Sequence, residues 1–92
     1  MASSMQNYGS KPDISASANI CPTACNMGGI FVSSVTGSPT ITIYDSATTT
    51  TTKKVVSSFV PIAGIMYPFP LAMTDGIYIV ITGTIVCNVL FA

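Results

Sequence analysis

Charge is almost missing from this 92-residue chain, which has three lysines and three aspartates but no glutamate, arginine or histidine. Three scattered lysines cannot displace the counterions of a phosphate backbone, so we expect no nucleic-acid partner. The lack of histidine removes the commonest general base, and no enzyme activity is expected. Only two leucines are present, which disfavours a soluble helical bundle.

What the chain does contain is apolar and hydroxyl-bearing. Hydrophobic residues make up 49% of it, the mean hydropathy is +0.64, and 12 threonines and 11 serines supply most of its polarity. The length allows one small domain. A small, apolar protein of zero net charge tends to associate, with itself, with a larger protein lattice or with lipid.

Residues 1–28 differ from the rest of the chain. They are rich in Ser, Ala and Asn, and their apolar residues are isolated, with neither a helical nor a strand period. We therefore predict that residues 1–28 form an extended N-terminal arm. The start of the arm has neither the basic segment nor the apolar run of a secretory signal, so we expect synthesis in the cytoplasm.

The cysteines are Cys21, Cys25 and Cys87. In a reducing compartment, an odd number of cysteines favours free thiols. A Cys21–Cys25 disulfide is the less favoured alternative. A three-thiolate zinc site would lack a fourth ligand and would need Cys87 to fold back onto the arm. No cofactor or metal is expected.

Residues 29–92 show the alternation of strands, with Val and Ile interleaved with Thr and Ser. We predict an all-β fold, a small antiparallel β-sandwich or barrel preceded by the arm. The predicted strands are residues 30–35, 40–44, 53–60, 65–71, 77–81 and 85–91. Turn residues at 36–39 and 82–84 predict two hairpins. The segment 65–71 contains two prolines and suits an edge or a corner crossing between sheets. The threonines at 48–52 suit an exposed loop or a weak edge strand.

The last predicted hairpin is apolar on both alternating faces. One face of a lone antiparallel sheet should be polar, so we expect the second face to meet another subunit. The predicted interface residues are Tyr78, Val80, Val86 and Leu90.

Other polar and aromatic residues have ordinary structural interpretations. Asp45 and Asp75 lie at turns, where aspartate accepts backbone N–H groups. The segment Tyr67-Pro68-Phe69-Pro70 is more typical of a packed aromatic corner than of a recognition surface.

A membrane helix is the main alternative for the C-terminal run, because residues 76–92 carry no charge. The strand interpretation is favoured, since the run is dense in Ile, Val and Thr and is interrupted at 82–84. It also has no flanking Lys or Arg.

Three segments resemble a known family: GIFVSSVTGSPTITIYD (29–45), FVPIAGIMYPFPLAM (59–73) and GIYIVITGTIVCNVLF (76–91). Together with the arm, they resemble the small capsid cement (decoration) proteins of tailed bacteriophages, in particular short members from phages of cyanobacteria. Tail and fibre surface-binding modules have a similar texture and stay open as an alternative.

The resemblance implies a structural virion protein on the outer surface of the capsid, made in the host cytoplasm. Such a protein binds as a homotrimer and staples neighbouring major capsid proteins through its arm. The arm residues expected to contact the capsid or a neighbour are Tyr8, Lys11, Pro12, Ile14 and Ile20.

Overall fold

The computed structural model describes residues 9–92, and all regular structure among them is β-strand. The strands are β1 (Gly9–Ile14), β2 (Ala18–Cys21), β3 (Cys25–Asp45), β4 (Lys54–Phe59), β5 (Met66–Met73) and β6 (Ile77–Phe91). They form one antiparallel sheet of six strands. The predicted all-β, antiparallel fold is confirmed.

Two long strands organise the sheet. β3 and β6 pair along nearly their whole lengths, from Met27 opposite Phe91 to Asp45 opposite Ile77. The free edge of β3 carries β5 on its first half and β4 on its second half. The free edge of β6 carries β1 and β2 in the same way. The sheet therefore consists of two four-stranded halves that share β3 and β6.

A corner joins the two halves, and it replaces both predicted hairpins. Those hairpin predictions were wrong: β3 continues through Gly37 and β6 continues through Gly83 without a reversing turn, and both glycines have positive φ. The β3–β6 register shifts between Thr36 and Thr40. The residues predicted to form turns, 36–39 in β3 and 82–84 in β6, therefore lie opposite each other in a β-bulge. A straight strand of 21 residues would extend about 70 Å, whereas the longest dimension is 44 Å. The sheet must therefore bend.

Bending brings the inner faces of the two halves into a single core. Ile30 and Val32 come from the first half, and Ile41 and Ile43 from the second, and all four are fully buried. β6 adds alternate residues to the same core: Ile77, Ile79, Ile85, Cys87 and Val89. This two-layered arrangement is the sandwich-like packing expected of a small antiparallel domain.

The corner leads to a stability prediction. A Cβ added at Gly83 would lie 2.9 Å from the Cα of Pro39, in addition to the cost of positive φ. Gly83→Ala should therefore lower the free energy of unfolding by about 2 kcal/mol or more. Gly37→Ala is the control, because its φ is also positive but nothing lies within 4 Å. It should cost only about 1 kcal/mol. Equal losses in urea unfolding would contradict the close packing at the corner.

The boundary predicted at residue 28 falls inside β3, and the described part of the arm belongs to the sheet. β1 and β2 pair with β6 of the same chain. The first five residues of β1 are exposed and only Ile14 is buried, so no apolar alternation marks it as a strand. Backbone hydrogen bonds to the edge of β6 hold it instead, and these have no sequence period.

The other strand predictions agree with the structure. β4 and β5 lie where residues 53–60 and 65–71 were predicted, and β5 is an edge strand. The five threonines lie in the exposed loop between β3 and β4. Among residues 9–92 no helix suits a membrane crossing, and the uncharged C-terminal run forms β6.

Candidate functional site

The predicted arm contacts have different environments. Tyr8 lies outside the described residues. Lys11 and Pro12 are exposed on β1, and their contact with a neighbour stays a prediction. Ile14 and Ile20 are buried in the core of their own chain, at 7% and 4% exposure. In this structure the two isoleucines are therefore core residues, because β1 and β2 fold onto β6.

The four predicted interface residues share the outer face of β6, where all are half-buried. Tyr78 lies opposite Tyr44, with ring centroids 6.1 Å apart, and Val80 lies opposite Thr42. Val86 and Leu90 continue the same face beyond the corner, opposite Ser34 and Gly29. This apolar outer face is available to a partner, and its role as a subunit interface stays a prediction.

A second apolar surface was not recognised in the sequence. The loop between β4 and β5 contains Pro61 and Gly64, which are typical of a turn, and its large apolar side chains are exposed. With the neighbouring strand ends they form a set that we call the apolar loop patch: Phe31, Val60, Ile62, Ile65 and Met66. Ile62 is 63% exposed and Val60 is 54% exposed, the two highest values among the large hydrophobic residues of the described chain. Because exposed apolar surface is characteristic of interaction sites, this loop is a candidate for one.

Hydrogen bonds hold the patch in place. The amide of Gly64 donates to the carbonyl of Val32 over 2.7 Å, and the amide of Val32 donates to the carbonyl of Ile65 over 3.1 Å. The amide of Ile62 donates to the Tyr67 hydroxyl over 2.8 Å. The loop is therefore tied to β3 and β5, so its isoleucines are displayed by an ordered backbone.

Aromatic packing lies next to this loop. Phe59, Tyr67 and Phe69 form a half-buried cluster with centroid separations of 5.1, 5.8 and 6.5 Å. The rings of Tyr67 and Phe69 pack as predicted, but the segment Tyr67-Pro68-Phe69-Pro70 lies within edge strand β5 and its two prolines are exposed. The Tyr67 hydroxyl also links this cluster to the apolar loop patch, because it accepts a hydrogen bond from the Ile62 amide.

A polar site lies at the C-terminal ends of β3 and β5. The Asp45 carboxylate accepts the amides of Thr74, Asp75 and Gly76 at 2.8 to 3.2 Å, and also the Thr74 hydroxyl at 2.9 Å. Burial by itself would raise the pKa of Asp45, but these hydrogen bonds outweigh it and lower the pKa to about 2. The interpretation of Asp45 as an acceptor of backbone N–H groups is confirmed.

A cleft of about 220 Å³ opens beside this carboxylate. It is lined by Asp45, Ser46, Ala47, Thr48, Thr50, Thr52, Lys53 and Asp75. Lys53 forms an ion pair with Asp75 at 2.5 Å, and both side chains are about half exposed. The hydroxyl of Ser46 accepts the amides of Thr48 and Thr50, each over 3.1 Å. The polar groups of the cleft are thus largely engaged with one another in shaping the threonine loop.

Two chain crossings meet at the same end of the molecule. Residues 21–25 pass from β2 to β3, and residues 73–77 pass from β5 to β6. Cys21 pairs with Ile77, and Cys25 pairs with Met73, so the two crossings run side by side. All three thiols are free, with Cys21 and Cys87 buried and Cys25 half-buried.

The described residues contain no metal-binding cluster: in 9–92, no three His, Cys, Asp or Glu side chains come together. Comparison with protein-family models, with curated proteins and with solved structures found no match to this chain.

Proposed function

We propose that this chain is a structural virion protein, a capsid cement protein of a tailed bacteriophage. It binds the outer shell as a homotrimer and joins neighbouring major capsid proteins. The apolar loop patch carries the proposal, because it presents Val60, Ile62 and Ile65 on an ordered loop. The resemblance of the three strand segments to cement proteins supplies the partner.

The physical basis is burial of apolar surface by a preorganised loop. Burial releases roughly 25 cal/mol per Å² of apolar surface. Because hydrogen bonds to Val32 and Tyr67 already order the loop, docking loses little conformational entropy. Zero net charge limits repulsion between many copies crowded on one shell.

Three copies acting together strengthen weak attachment. In a trimer held by the outer face of β6, each subunit would present one apolar loop patch to the shell. Once one patch has bound, the effective concentration of the others makes their binding intramolecular. Lys11 and Pro12, exposed on β1, would add contacts to the neighbouring capsid protein.

The test replaces Ile62 and Ile65 together by serine. The double variant should remain folded by circular dichroism, since both side chains lie outside the core. Its binding to purified capsids of its own phage should fall by about 10-fold or more, as expected when two exposed isoleucines leave an interface. Binding is measured by co-sedimentation over a concentration series.

Val55→Ser is the matched control, because Val55 is 39% exposed but lies on β4, outside the patch. It should bind like the wild type. Light scattering of the wild type in detergent-free buffer should give a soluble species near three times 9.5 kDa. Unchanged binding of the double variant would remove the patch from the mechanism. Failure of the wild type to bind capsids would overturn the proposed function.

A further inference from the structure

We propose that Met66 is a reversible oxidation site that controls docking by the apolar loop patch. The described chain contains three methionines, at positions 27, 66 and 73. Met27 and Met73 belong to the core, at 0% and 3% exposure, whereas Met66 is 39% exposed. A thioether reacts with an oxidant that can reach its sulfur. Met66 is therefore the methionine of residues 9–92 that a dissolved oxidant modifies first.

Met66 begins β5, and the sheet places its side chain on the outer surface. It is paired with Phe31 of β3, which is 38% exposed, and directly opposed residues share one face of a sheet. The methyl group of Met66 lies against Gly29, because a Cβ at Gly29 would lie only 2.7 Å from the Met66 Cε. The missing side chain of Gly29 thus leaves the space that the end of Met66 occupies.

Met66 therefore lies where the two apolar surfaces of the molecule meet. On its other side, β3 is paired with β6, with Gly29 opposite Leu90 and Phe31 opposite Asn88. Leu90 belongs to the outer face of β6, and Phe31 belongs to the apolar loop patch. A chemical change at Met66 consequently alters the apolar surface at the point where the patch adjoins β6.

The oxidant is a peroxide, and the product is methionine sulfoxide. The thioether sulfur attacks one oxygen of hydrogen peroxide, the O–O bond breaks, and a proton moves from the bound oxygen to the departing hydroxide. One sulfur–oxygen bond forms and one water is released. The sulfur loses two electrons, and the peroxide gains them. Methionine sulfoxide reductases reverse the modification, so the site can return to its apolar state.

Oxidation replaces an apolar group of the patch by a polar one. The sulfoxide oxygen is a hydrogen-bond acceptor, and its transfer from water into an apolar interface is unfavourable unless a donor is supplied there. The oxidised patch should therefore dock less tightly than the reduced patch. This consequence rests on the proposed function, whereas the selectivity of oxidation for Met66 does not.

The first experiment measures that selectivity. Wild-type protein is treated with hydrogen peroxide, digested with trypsin and analysed by tandem mass spectrometry. Peptide 55–92 contains Met66 and Met73, and peptide 1–53 contains Met27. Met66 should gain one oxygen about 10-fold or more faster than Met27 and Met73, with no change in the circular dichroism spectrum. Equal rates at the three positions would overturn the proposal.

The second experiment measures docking. The affinity of the wild type for capsids, followed by co-sedimentation, should fall by about 10-fold after oxidation and recover after treatment with methionine sulfoxide reductases. Peroxide should also oxidise Met66 more slowly in capsid-bound protein than in free protein. Unchanged affinity of the oxidised protein would overturn the control of docking that is assigned to Met66.

Failure of the oxidation site and failure of the cement function are distinguishable. Selective oxidation of Met66 in a wild-type protein that does not bind capsids would overturn the cement function and leave the oxidation site in place. Equal oxidation of all three methionines in a protein that binds capsids would have the opposite meaning.

Two leucine variants make the result specific, since leucine has a similar volume to methionine and carries no sulfur. Peroxide should leave the capsid affinity of Met66→Leu where it was before treatment. Met73→Leu should lose affinity after peroxide, as the wild type does. Both variants keep the three cysteines. A loss of affinity in peroxide-treated Met66→Leu would therefore trace the effect to the thiols and overturn the proposal.

Discussion

Replacing Gly76 by alanine is expected to lower the free energy of unfolding by about 3 kcal/mol or more. Gly76 lies where the two chain crossings meet the end of β3. A Cβ there would lie inside contact distance of the Cys21 carbonyl oxygen and 2.6 Å from the Ser46 carbonyl oxygen. Both obstacles are backbone atoms, so no flexible side chain can move aside. The carbonyl of Gly76 also accepts the amide of Ser46 over 3.2 Å, and that bond would be displaced as well.

The measurement is urea unfolding followed by circular dichroism, with Gly9→Ala as the control. A Cβ at Gly9 would meet only the Phe91 carbonyl oxygen, at an ordinary 3.7 Å. Gly9→Ala should therefore change the unfolding free energy by less than about 0.5 kcal/mol. A Gly76→Ala protein as stable as the control would show that the crossings are not in close contact.

Asp45→Asn is expected to cost about 3 kcal/mol of unfolding free energy at neutral pH. Asp45 is 8% exposed, and its carboxylate accepts three backbone amides and one hydroxyl, from Thr74, Asp75 and Gly76. An asparagine amide would place its own N–H donors against those donors. The backbone amides of residues 74–76 would lose their hydrogen-bond acceptor, and no water would replace it at this buried position.

The same carboxylate makes stability depend on pH in a predictable direction. The pKa of Asp45 is about 2 in the folded protein, against an ordinary value of 3.8. A lowered folded pKa gives stability that is complete above the unfolded pKa and is lost as the pH falls through the folded value. The unfolding free energy should thus fall by about 2 kcal/mol between pH 5 and pH 2.

Urea unfolding over this pH range should show the loss in the wild type and a flatter profile in Asp45→Asn. Asp13→Asn is the matched control, because it makes the same chemical change at an exposed residue of β1. Asparagine also tolerates the positive φ of Asp13. A wild-type profile as flat as that of Asp45→Asn would contradict the role assigned to the carboxylate.

The corner shows why residue-level prediction found the strands but misplaced their connections. Gly37 and Gly83 have the chemistry of hairpin turns, and both do adopt positive φ. The same conformation serves a turn or a bulge, and the choice depends on which residues lie opposite. Here Thr40 lies opposite Thr82, and their hydroxyls hydrogen-bond across the corner. Pairing between residues this distant in sequence leaves no local signal.

Of the two candidate surfaces, the outer face of β6 could be predicted from the sequence and the apolar loop patch could not. The alternation in β6 correctly separated its two faces: Ile79 and Val89 are fully buried on one face, and Tyr78 and Val80 are half-buried on the other. The outward direction of Ile62 and Ile65 could not be predicted, because two loops of identical composition can bury or expose their isoleucines. Tertiary hydrogen bonds to Val32 and Tyr67 decide it here.

Composition and local pattern by themselves determined the all-β class, the edge position of the proline-rich β5 and the exposure of the threonine loop. Each of these follows from a property of single residues. Branching at Cβ favours strands, proline lacks the N–H that a central strand needs, and the threonine hydroxyls favour exposure to water. Only the tertiary structure decided that residues 9–21 join the sheet, that the sheet bends at Gly83, and that Asp45 binds the crossing at 74–76. Those features depend on which backbone groups meet across dozens of residues, and the packing of the whole core selects them.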